Sequence, residues 1–238
     1  MGGSRSFDGT MNYVQISDDA SLDFGTGDFT ICAWFKDSGG VTREFIVSKD
    51  DNTGDGLWYI ELGNGAVDVA LDRKLGVFIF QDGSNSNYER MSSVTDALDD
   101  SVWHHVAAVM DKSSGSSAIY VDGVLQTTET SISNGTYADI DVDSNDNVRI
   151  GDDNRIGSSN FGGSICGVRT YDRVLSDSEI LELASGKMNT ITKGLKLWMP
   201  LQDAGVSPTY TDISGEGNNS SSVDDPTEST DAPQLMWT

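Results

Sequence analysis

The stretch NFGGSICGVRTYDRVLSDSEILELASG (residues 160–186) predicts a strand that leads directly into a short helix. After the glycine pair, residues 164–171 alternate with the period of two that is typical of a strand. Ser176 and Glu179 have the spacing of a capping box, in which two side chains bind free N–H groups at a helix start. Gly186 supplies the left-handed residue that commonly ends a helix. This helix stands alone, because the rest of the chain is patterned mainly as strands.

Many short strand-like runs precede this stretch. They are separated by turn residues and cover, in order, 13–17, 29–36, 44–48, 57–62, 66–71, 75–81, 103–110, 118–121, 124–128 and 147–151. The pair Asp122-Gly123 lies between two of them and is a strong signal for a two-residue hairpin. Residues 139–147 alternate Asp with Ile140 and Val142, which predicts an edge strand with a solvated outer face. Many strands at short spacing favour a β-sandwich or jelly roll.

The composition is that of an acidic chain with one domain, or with one domain and an appendage. Its 238 residues include 26 Gly and 37% hydrophobic residues, which suits an all-β protein with many turns. The formal charge of −23 comes mainly from aspartate, since only eight of the 38 acidic residues are Glu. Such a surface repels phosphate backbones and anionic lipid, and no apolar run approaches the roughly 20 residues of a membrane span. We therefore expect neither a nucleic-acid partner nor membrane insertion.

Five segments, by their order and spacing, resemble the successive motifs of laminin-G-like and pentraxin-like domains of the concanavalin A-like lectin/glucanase superfamily. They are FDGTMNYVQI (7–16), DFTICAWFK (28–36), VWHHVAAV (102–109), IYVDGVL (119–125) and the strand-helix stretch at 160–186. The resemblance implies an all-β jelly-roll sandwich of two antiparallel sheets with one short α-helix. It also implies a function in binding glycans or proteins, without chemistry.

The segment after the helix resembles the beginning of such a domain. Residues 195–219, LKLWMPLQDAGVSPTYTDISGEGNN, are similar to the segment that normally precedes the FDG motif. The chain is therefore interpreted as circularly permuted, with 1–186 as the jelly roll, 187–217 as the strand segment that completes it and 218–238 as a polar, docked tail. Two alternatives stay open, because residues 195–201 can pair within their own sandwich or with a neighbouring copy.

Two acidic turns follow predicted strands. One contains Asp50, Asp51 and Asn52, and the other contains Asp152, Asp153 and Asn154. In the pentraxin branch of the family, loops at these places bring oxygen ligands together around Ca²⁺, so the resemblance implies a calcium site formed by these residues. Calcium takes about six to eight oxygen ligands, which carboxylate and amide groups supply. The alternative is that Asp and Asn act here only as turn formers.

Aromatic residues in the middle strands are candidates for sugar contacts. Trp58, Tyr59 and Tyr88 are predicted to form a ligand-binding surface, because a ring face can stack on the apolar face of a pyranose. The alternative for these rings is core packing, which explains most aromatic residues in a sandwich.

The sequence contains no recognisable catalytic motif. The strand motif E-x-D-x-x-E of the superfamily's glycosidases is absent, although retaining hydrolysis needs two closely spaced carboxylates. His104 and His105 are adjacent, so on a strand they point to opposite faces and cannot act as a pair. We therefore expect a protein that is not an enzyme, and a glycoside hydrolase is the weaker alternative.

Cys32 and Cys166 are the two cysteines of the chain, which is too few for a disulfide framework. Buried thiols are the expectation, and a single bridge between neighbouring strands is the alternative. The start MGGSRSF lacks the apolar segment of a secretory signal.

These patterns predict a non-catalytic, lectin-like surface or adhesion module whose ligand is a glycan or a surface protein. We expect a decoration or fibre protein on the surface of a virus particle, with a cytoplasmic location as the alternative. We also expect a homo-oligomer or docking on a larger assembly. The rival function is a structural subunit–subunit module that binds no glycan.

Overall fold

The computed structural model describes residues 3–39, 43–50, 56–63, 74–80, 88–93, 98, 101–133, 139–153, 159–187, 190–202, 209–223 and 226–234. Within these ranges the strands form two antiparallel sheets of eight strands each, and one α-helix packs against the outer face of the first sheet. The predicted fold class, an all-β jelly-roll sandwich of two antiparallel sheets with one short helix, is confirmed.

The strands are numbered in chain order. The first eight are β1 (Ser4–Asp8), β2 (Tyr13–Ile16), β3 (Phe29–Asp37), β4 (Glu44–Lys49), β5 (Leu57–Gly63), β6 (Lys74–Phe80), β7 (Tyr88–Ser93) and β8 (His104–Asp111). The other described strands are β9 (Ser116–Val121), β10 (Val124–Leu125), β11 (Thr128–Ser133), β12 (Val148–Ile150), β13 (Gly162–Tyr171), β14 (Leu195–Met199), β15 (Ser220–Val223) and β16 (Thr227–Ser229). The helix α1 covers Asp177–Ala184, and a 3-10 turn covers Ala20–Leu22.

The two sheets are named here by the side on which the helix lies. Sheet 1 carries the helix and has the order β10-β9-β8-β3-β13-β1-β16, with β14 also paired to β13. Sheet 2 has the order β11-β7-β6-β5-β4-β12-β2-β15. The long strand β13 pairs with β3 along one side, while β1 and β14 pair with its first and second halves.

Strand β3 is apolar on both faces because both faces are covered. Ile31 and Ala33 belong to the main core between the sheets, whereas Cys32 belongs to a second cluster beneath α1. In that second cluster Ile180 and Leu183 of the helix are fully buried. Burial of side chains of this size contributes about 1.5–3 kcal/mol each, so the helix is held mainly by this face.

The start of α1 folds as the sequence predicts. Ser176 is the N-cap, its hydroxyl accepts a hydrogen bond from the N–H of Glu179, and the Glu179 carboxylate accepts the N–H of Ser176 at 2.9 Å. Arg173 donates two further hydrogen bonds to the same carboxylate, at 2.9 and 2.7 Å. These bonds favour the ionised form and lower the pKa of Glu179 to about 2. Gly186 follows the helix with a φ of +84°.

The predicted hairpin at Asp122-Gly123 joins β9 to β10. Both residues have positive φ, at +50° and +77°, as a type I′ turn requires. The turn also lies close to the helix, because a Cβ at Gly123 would be 2.9 Å from Cδ1 of Leu181. Glycine is therefore needed here both for the backbone conformation and for the close approach.

The C-terminal segment contributes strands to both sheets of the same chain. Strand β14 pairs with β13 in sheet 1, β15 pairs with β2 at the edge of sheet 2, and β16 pairs with β1 at the edge of sheet 1. Beyond β16, Asp231 accepts hydrogen bonds from Lys36 Nζ at 2.6 Å and from Trp103 Nε1 at 3.0 Å. The last described residues therefore lie against sheet 1.

Two predicted strands need comment. The run 66–71 lies outside the described residues. Residues 139–147 contain no strand, so the predicted edge strand is wrong. Ile140 and Val142 are fully buried in the main core, and Nζ of Lys112 donates to the carbonyl oxygen of Ile140. Ile140 and Val142 thus fill part of the main core without belonging to a strand. The carbonyl oxygen of Ile140 is bound by the buried ammonium group of Lys112 and not by a neighbouring strand.

Both cysteines are buried free thiols, as expected from the sequence. Cys166 lies opposite Trp34 and Arg169 opposite Cys32, on the neighbouring strands β13 and β3. Burial raises the pKa of the Cys32 thiol to about 11, although the nearby Arg169 opposes this. The thiols are therefore protonated at neutral pH and pack as small apolar groups.

Candidate functional site

A continuous row of side chains crosses the outer face of sheet 2. In β7, β6, β5, β4 and β12 the register places Arg90, Phe78, Tyr59, Ser48 and Arg149 side by side. Strands in a sheet are about 4.8 Å apart, so the row is roughly 19 Å long. It lies on the sheet face that points away from the main core, since the residues flanking Tyr59 in β5 belong to that core.

Aromatic rings form the middle of this row. Tyr59 stacks on Phe78 with ring centroids 4.8 Å apart and meets Phe45 edge-on at 4.9 Å. Cζ of Arg90 lies 4.7 Å from the centre of the Phe78 ring. A guanidinium over an aromatic face is attracted by the electrons of the ring, so Arg90 covers the cluster without an acidic partner being required.

Arg43 covers the other side of the same cluster. Its Cζ lies 4.5 Å from the ring centre of Phe45 and 5.1 Å from that of Tyr59. Its Nη2 donates to the Tyr59 hydroxyl at 2.7 Å, and its Nε donates to Glu61. The guanidinium of Arg43 therefore contacts the rings of Phe45 and Tyr59 and donates hydrogen bonds to the Tyr59 hydroxyl and the Glu61 carboxylate.

A second arginine group lies at the β12 end of the row. Cζ of Arg149 is 4.2 Å from the ring centre of Tyr13 in β2, and Nη1 of Arg149 donates to Asp152 at 2.8 Å. The carbonyl oxygen of Asp152 accepts the hydroxyl of Ser48 at 2.8 Å. We call the surface formed by these two groups and the row the arginine–aromatic face, made of Tyr13, Arg43, Phe45, Ser48, Tyr59, Phe78, Arg90 and Arg149.

The three arginines and Tyr13 are the partly exposed members of this face. The side chain of Arg43 is 23% exposed and that of its partner Glu61 3%, while Tyr59 itself is buried. The side chains of Tyr13, Arg90 and Arg149 are half-buried. A ligand on this face would meet hydrogen-bond donors of arginine at the surface, with the rings and carboxylates beneath holding those donors in place.

The three aromatic residues predicted to bind ligand are divided between the two sides of sheet 2. Tyr59 lies in the arginine–aromatic face, and the register pairs Tyr88 with Phe80 on the same side of the sheet. Trp58 is fully buried in the main core, with its ring 6.2 Å from that of Phe24. Adjacent residues of a strand point to opposite faces, so Trp58 and Tyr59 cannot share a binding surface.

The first predicted calcium turn begins at a buried lysine. Lys49, immediately before Asp50, is completely buried, and its Nζ lies 3.0 Å from Asp18 and also contacts Asp23. An ammonium group therefore already neutralises two carboxylates next to this turn. Asp50 is itself buried, and Asp51 and Asn52 lie outside the described residues.

The second turn begins at the other end of β12. Lys49 pairs with Val148, the first residue of β12, whereas Asp152 follows Ile150, the last. Asp152 and Asp153 are buried, and Asn154 lies outside the described residues. Burial raises the pKa of Asp152, and its ion pair with Arg149 opposes this shift.

The described carboxylates therefore do not by themselves make a calcium site. In the part of the chain that the structure describes, no group of three or more His, Cys, Asp or Glu side chains is placed to hold a metal ion. A site that also draws on Asp51, Asn52 and Asn154 stays a prediction.

The two histidines point to opposite faces of β8, as expected for neighbours on a strand. Nδ1 of His104 is 2.8 Å from Oδ2 of Asp122, which belongs to the β9–β10 hairpin. His105 lies edge-on to Trp34 at 5.3 Å, and burial together with Arg169 lowers its pKa to about 3. His105 is therefore neutral and inaccessible at physiological pH.

Sequence reasoning missed the arginines of the arginine–aromatic face. Arg149 lies in a run predicted as a strand, between the core residues Val148 and Ile150, so its outward direction could have been inferred from the period of two. Nothing in the sequence indicates that Arg43 and Arg90 cover two sides of one ring cluster, because the pairing of β5 with β6 and of β6 with β7 brings them together.

Two antiparallel sheets with one helix on an outer face form the jelly-roll architecture of concanavalin A-like domains. The chain belongs to the Laminin_G_3 family of the concanavalin A-like lectin/glucanases superfamily, whose family model matches residues 8–181.

Solved structures show the same fold. A candidate carbohydrate binding protein from Bacteroides ovatus is similar over 98% of this chain and 61% of its own, with a TM-score of 0.73 and 19% identity. A heptameric SAP-like pentraxin from Limulus polyphemus matches 80% of this chain and 84% of its own, with a TM-score of 0.52 and 17% identity. The CBM40 of a Ruminococcus gnavus IT-sialidase matches 76% and 97%, respectively, with a TM-score of 0.51 and 20% identity. At these identities the likeness concerns the fold alone.

Among the described residues, no helix has the length and apolar character needed to cross a membrane.

Proposed function

We propose that this chain is a non-catalytic glycan-binding module and that the arginine–aromatic face is its ligand surface. The observation that carries the proposal is the row of register neighbours, Arg90, Phe78, Tyr59, Ser48 and Arg149, which crosses five strands of sheet 2. A row of roughly 19 Å is long enough to contact several sugar rings.

The chemistry of the face suits a glycan. Arginine presents five N–H donors in a fixed plane, which can bind vicinal hydroxyls or a sugar carboxylate in pairs. The half-buried ring of Tyr13 lies at the edge of the face beside Arg149, where a pyranose could stack. Because three of the four half-buried members are arginines, the face favours glycans that carry a carboxylate over neutral ones.

The comparisons support the same function. The Bacteroides ovatus protein is described as a candidate carbohydrate binding protein, and the CBM40 of the Ruminococcus gnavus IT-sialidase has also been solved bound to α2,3-sialyllactose. This chain spans only 61% of the Bacteroides ovatus protein, so any further function of such a longer protein is a separate proposal. A role on the surface of a virus particle, in a homo-oligomer or docked on a larger assembly, stays a prediction.

A glycan array with neutral and acidic sugars tests the proposal. We expect the wild-type protein to bind acidic glycans, and the double variant Arg90→Lys, Arg149→Lys to bind them about tenfold more weakly, because lysine cannot reproduce paired planar donors. The variant Arg173→Lys changes a comparable arginine beside α1, on the other sheet, and should bind like the wild type. Absence of binding to every glycan on the array would overturn the proposal.

Calcium dependence is tested in the same experiment. Repeating the array with a chelator measures whether binding needs a divalent ion, as the turns at Asp50 and Asp152 led us to predict. Unchanged binding with the chelator leaves the glycan function intact and rejects a calcium-dependent site. The rival structural function predicts no glycan binding together with self-association, which light scattering detects.

A further inference from the structure

A groove of about 520 Å³ opens on the outer face of sheet 1, beside the start of α1. Its walls are the paired strands β8 and β9 on one side and the segment that enters the helix on the other. The groove lies on the opposite sheet from the arginine–aromatic face, so the two surfaces can act independently.

The floor of the groove is apolar. Val109 of β8 and Ala118 of β9 line it together with Leu175, the residue before the helix N-cap. Val109 and Leu175 are buried members of the second hydrophobic cluster, and the half-buried Ala118 packs against it. An aliphatic chain lying in the groove would therefore replace water on an apolar surface.

The rim of the groove is acidic. Asp111 and Asp177 both line it, and no Lys, Arg or His is among its described lining residues. Hydrogen bonds from Ser114 and Ser113 keep the pKa of Asp111 below its usual range, so this carboxylate is ionised at neutral pH. The hydroxyl of Tyr120 donates to Oδ1 of Asp177 at 2.6 Å, which fixes the second carboxylate at the rim.

The cations nearest in sequence are directed elsewhere. Lys112 follows Asp111 but is buried, and its Nζ donates to the carbonyl oxygens of Gly25 and Ile140. Arg173 precedes Val174 of the groove but donates to Glu179 with two of its nitrogens. Within the described residues, the groove is therefore an apolar slot lined by two carboxylates and by no cationic side chain.

We propose that this groove binds the side chain of an arginine or lysine carried by a basic segment of a partner protein. The aliphatic stem lies on Val109, Ala118 and Leu175, and the cationic head lies between Asp111 and Asp177. Basic side chains combine an apolar stem with a charged end, which matches both parts of the groove. A partner segment, unlike a free amine, also gains from attraction to a chain of net charge −23.

The probe is a neutral peptide with a single cation, Ac-Gly-Ser-Gly-Arg-Gly-Ser-Gly-NH₂, added to the ¹⁵N-labelled full chain. We expect amide chemical shifts to change at the ends of β8 and β9 and at the start of α1. The same peptide with citrulline in place of arginine has the same shape without the charge, and it should cause no such change. Equal shifts with citrulline, or shifts that are not localised to the groove, would overturn the proposal.

Two double variants distinguish peptide binding in the groove from general electrostatic attraction to an acidic chain. Asp111→Asn with Asp177→Asn keeps the acceptor oxygens but removes both charges, and it should weaken peptide binding by about three- to tenfold, as expected for two partly exposed ion pairs. Asp139→Asn with Glu228→Gln removes two exposed charges elsewhere and should leave binding unchanged. Equal weakening by both double variants would show attraction to net charge alone and would reject the groove.

A third variant places an arginine side chain of the chain itself in the groove. Ser116 is exposed at the start of β9 and lines the groove, so Ser116→Arg places a competing guanidinium at the rim. This variant should abolish the localised shifts while its own spectrum stays that of a folded protein. Butylammonium is the control for a small free amine. If butylammonium binds as tightly as the arginine peptide, the assignment of the groove to a partner segment is rejected.

Discussion

The guanidinium of Arg43 lies over the ring of Tyr59, with Cζ 5.1 Å from the ring centre, and also donates a hydrogen bond to its hydroxyl at 2.7 Å. The two residues are held by attraction to the ring face and by a bond at the ring edge. Because Tyr59 is buried and Arg43 is half-buried, the ring orients the accessible donor. In the proposed function, Tyr59 contributes to ligand binding by positioning Arg43.

Replacement of Tyr59 by phenylalanine tests this relationship. Tyr59→Phe keeps the ring and removes the hydroxyl, so Arg43 loses one hydrogen bond. We expect the free energy of unfolding to fall by about 1 kcal/mol. We also expect glycan binding to weaken by several-fold, because the guanidinium is less well oriented. Denaturant unfolding and binding measurements on the same protein check both effects.

Tyr120→Phe is the matched control for that variant. Tyr120 also makes one hydrogen bond through its hydroxyl, to Asp177, but it lies on sheet 1. It should lose a similar amount of stability without any change in glycan binding. Equal loss of binding in both variants would mean that binding follows stability and does not depend on Arg43.

The buried ammonium of Lys49 should be important for stability. It lies 3.0 Å from Asp18 and also contacts Asp23, and its side chain is 0% exposed. Lys49→Met leaves these two carboxylates close together without a cation, which should lower the free energy of unfolding by about 2–3 kcal/mol. Urea unfolding at neutral pH measures this change.

Lys36→Met provides the comparison. Lys36 pairs with Asp231 at 2.6 Å, but both side chains are substantially exposed to solvent. Solvent screens such a pair, so its loss should cost about 1 kcal/mol or less. If Lys49→Met is no more destabilising than Lys36→Met, the buried pair contributes no more than a surface pair does.

Glu44 should make stability fall as the pH rises from about 4.5 to about 7. Burial raises the pKa of this carboxyl from 4.5 to about 7, and the N–H of Gly162, which donates to it at 3.2 Å, only partly offsets this. The folded state therefore keeps a proton that the unfolded chain releases, and folding becomes less favourable as protons are withdrawn. Glu44→Gln should flatten the pH dependence in this interval, as measured by thermal unfolding.

Glu179 should have the opposite effect at lower pH. Hydrogen bonds from Arg173 lower the pKa of Glu179 from 4.5 to about 2, so its contribution to stability is complete above about pH 4.5 and is lost as the pH falls toward 2. Glu179→Gln should remove part of the acid sensitivity and leave the interval near pH 6 unchanged. A change near pH 6 in this variant would contradict the assignment to Glu44.

Alanine substitutions at Gly123 and Gly115 distinguish the stability cost of backbone strain from the cost of steric contact. Both have positive φ, at +77° and +74°, but a Cβ at Gly123 would be 2.9 Å from Leu181, whereas at Gly115 it meets nothing within 4 Å. Gly115→Ala should therefore cost about 1–2 kcal/mol from backbone strain alone. Gly123→Ala should cost more, because Leu181 and Ala184 of α1 must also shift. If denaturant unfolding shows that both variants lose the same free energy of unfolding, α1 moves to accommodate the added Cβ at no cost.

Local features of the fold could be predicted because their causes lie within a few residues. The capping box at Ser176 and Glu179 and the turn at Asp122-Gly123 depend on spacing and on positive φ, and both are present. The alternation at 139–147 failed as a strand signal. Its apolar residues face the end of the core, where Lys112 binds the carbonyl of Ile140. Period alone cannot distinguish a strand from an extended loop that buries the same side chains.

The candidate site was predicted less completely than the fold. The sequence predicts a ligand surface that contains both Trp58 and Tyr59, but neighbouring residues on a strand face opposite sides of a sheet, and here only Tyr59 lies on the arginine–aromatic face. Arg43 and Arg149 were missed, because their roles depend on contacts with rings that other strands carry.

The sequence by itself determined the class of fold, the helix, the hairpin and the acidic character of the chain, because these depend on local patterns and composition. The tertiary structure alone decided which side chains share a surface. The register between β4 and β12 puts the turns at Asp50 and Asp152 at opposite ends of β12. Register across sheet 2 also lines up the arginine–aromatic face, and the packing of α1 on sheet 1 leaves the groove beside it. All of these features depend on contacts between segments that are distant in the sequence. In a sheet, a register shift of one residue would turn every side chain of a strand to the other face.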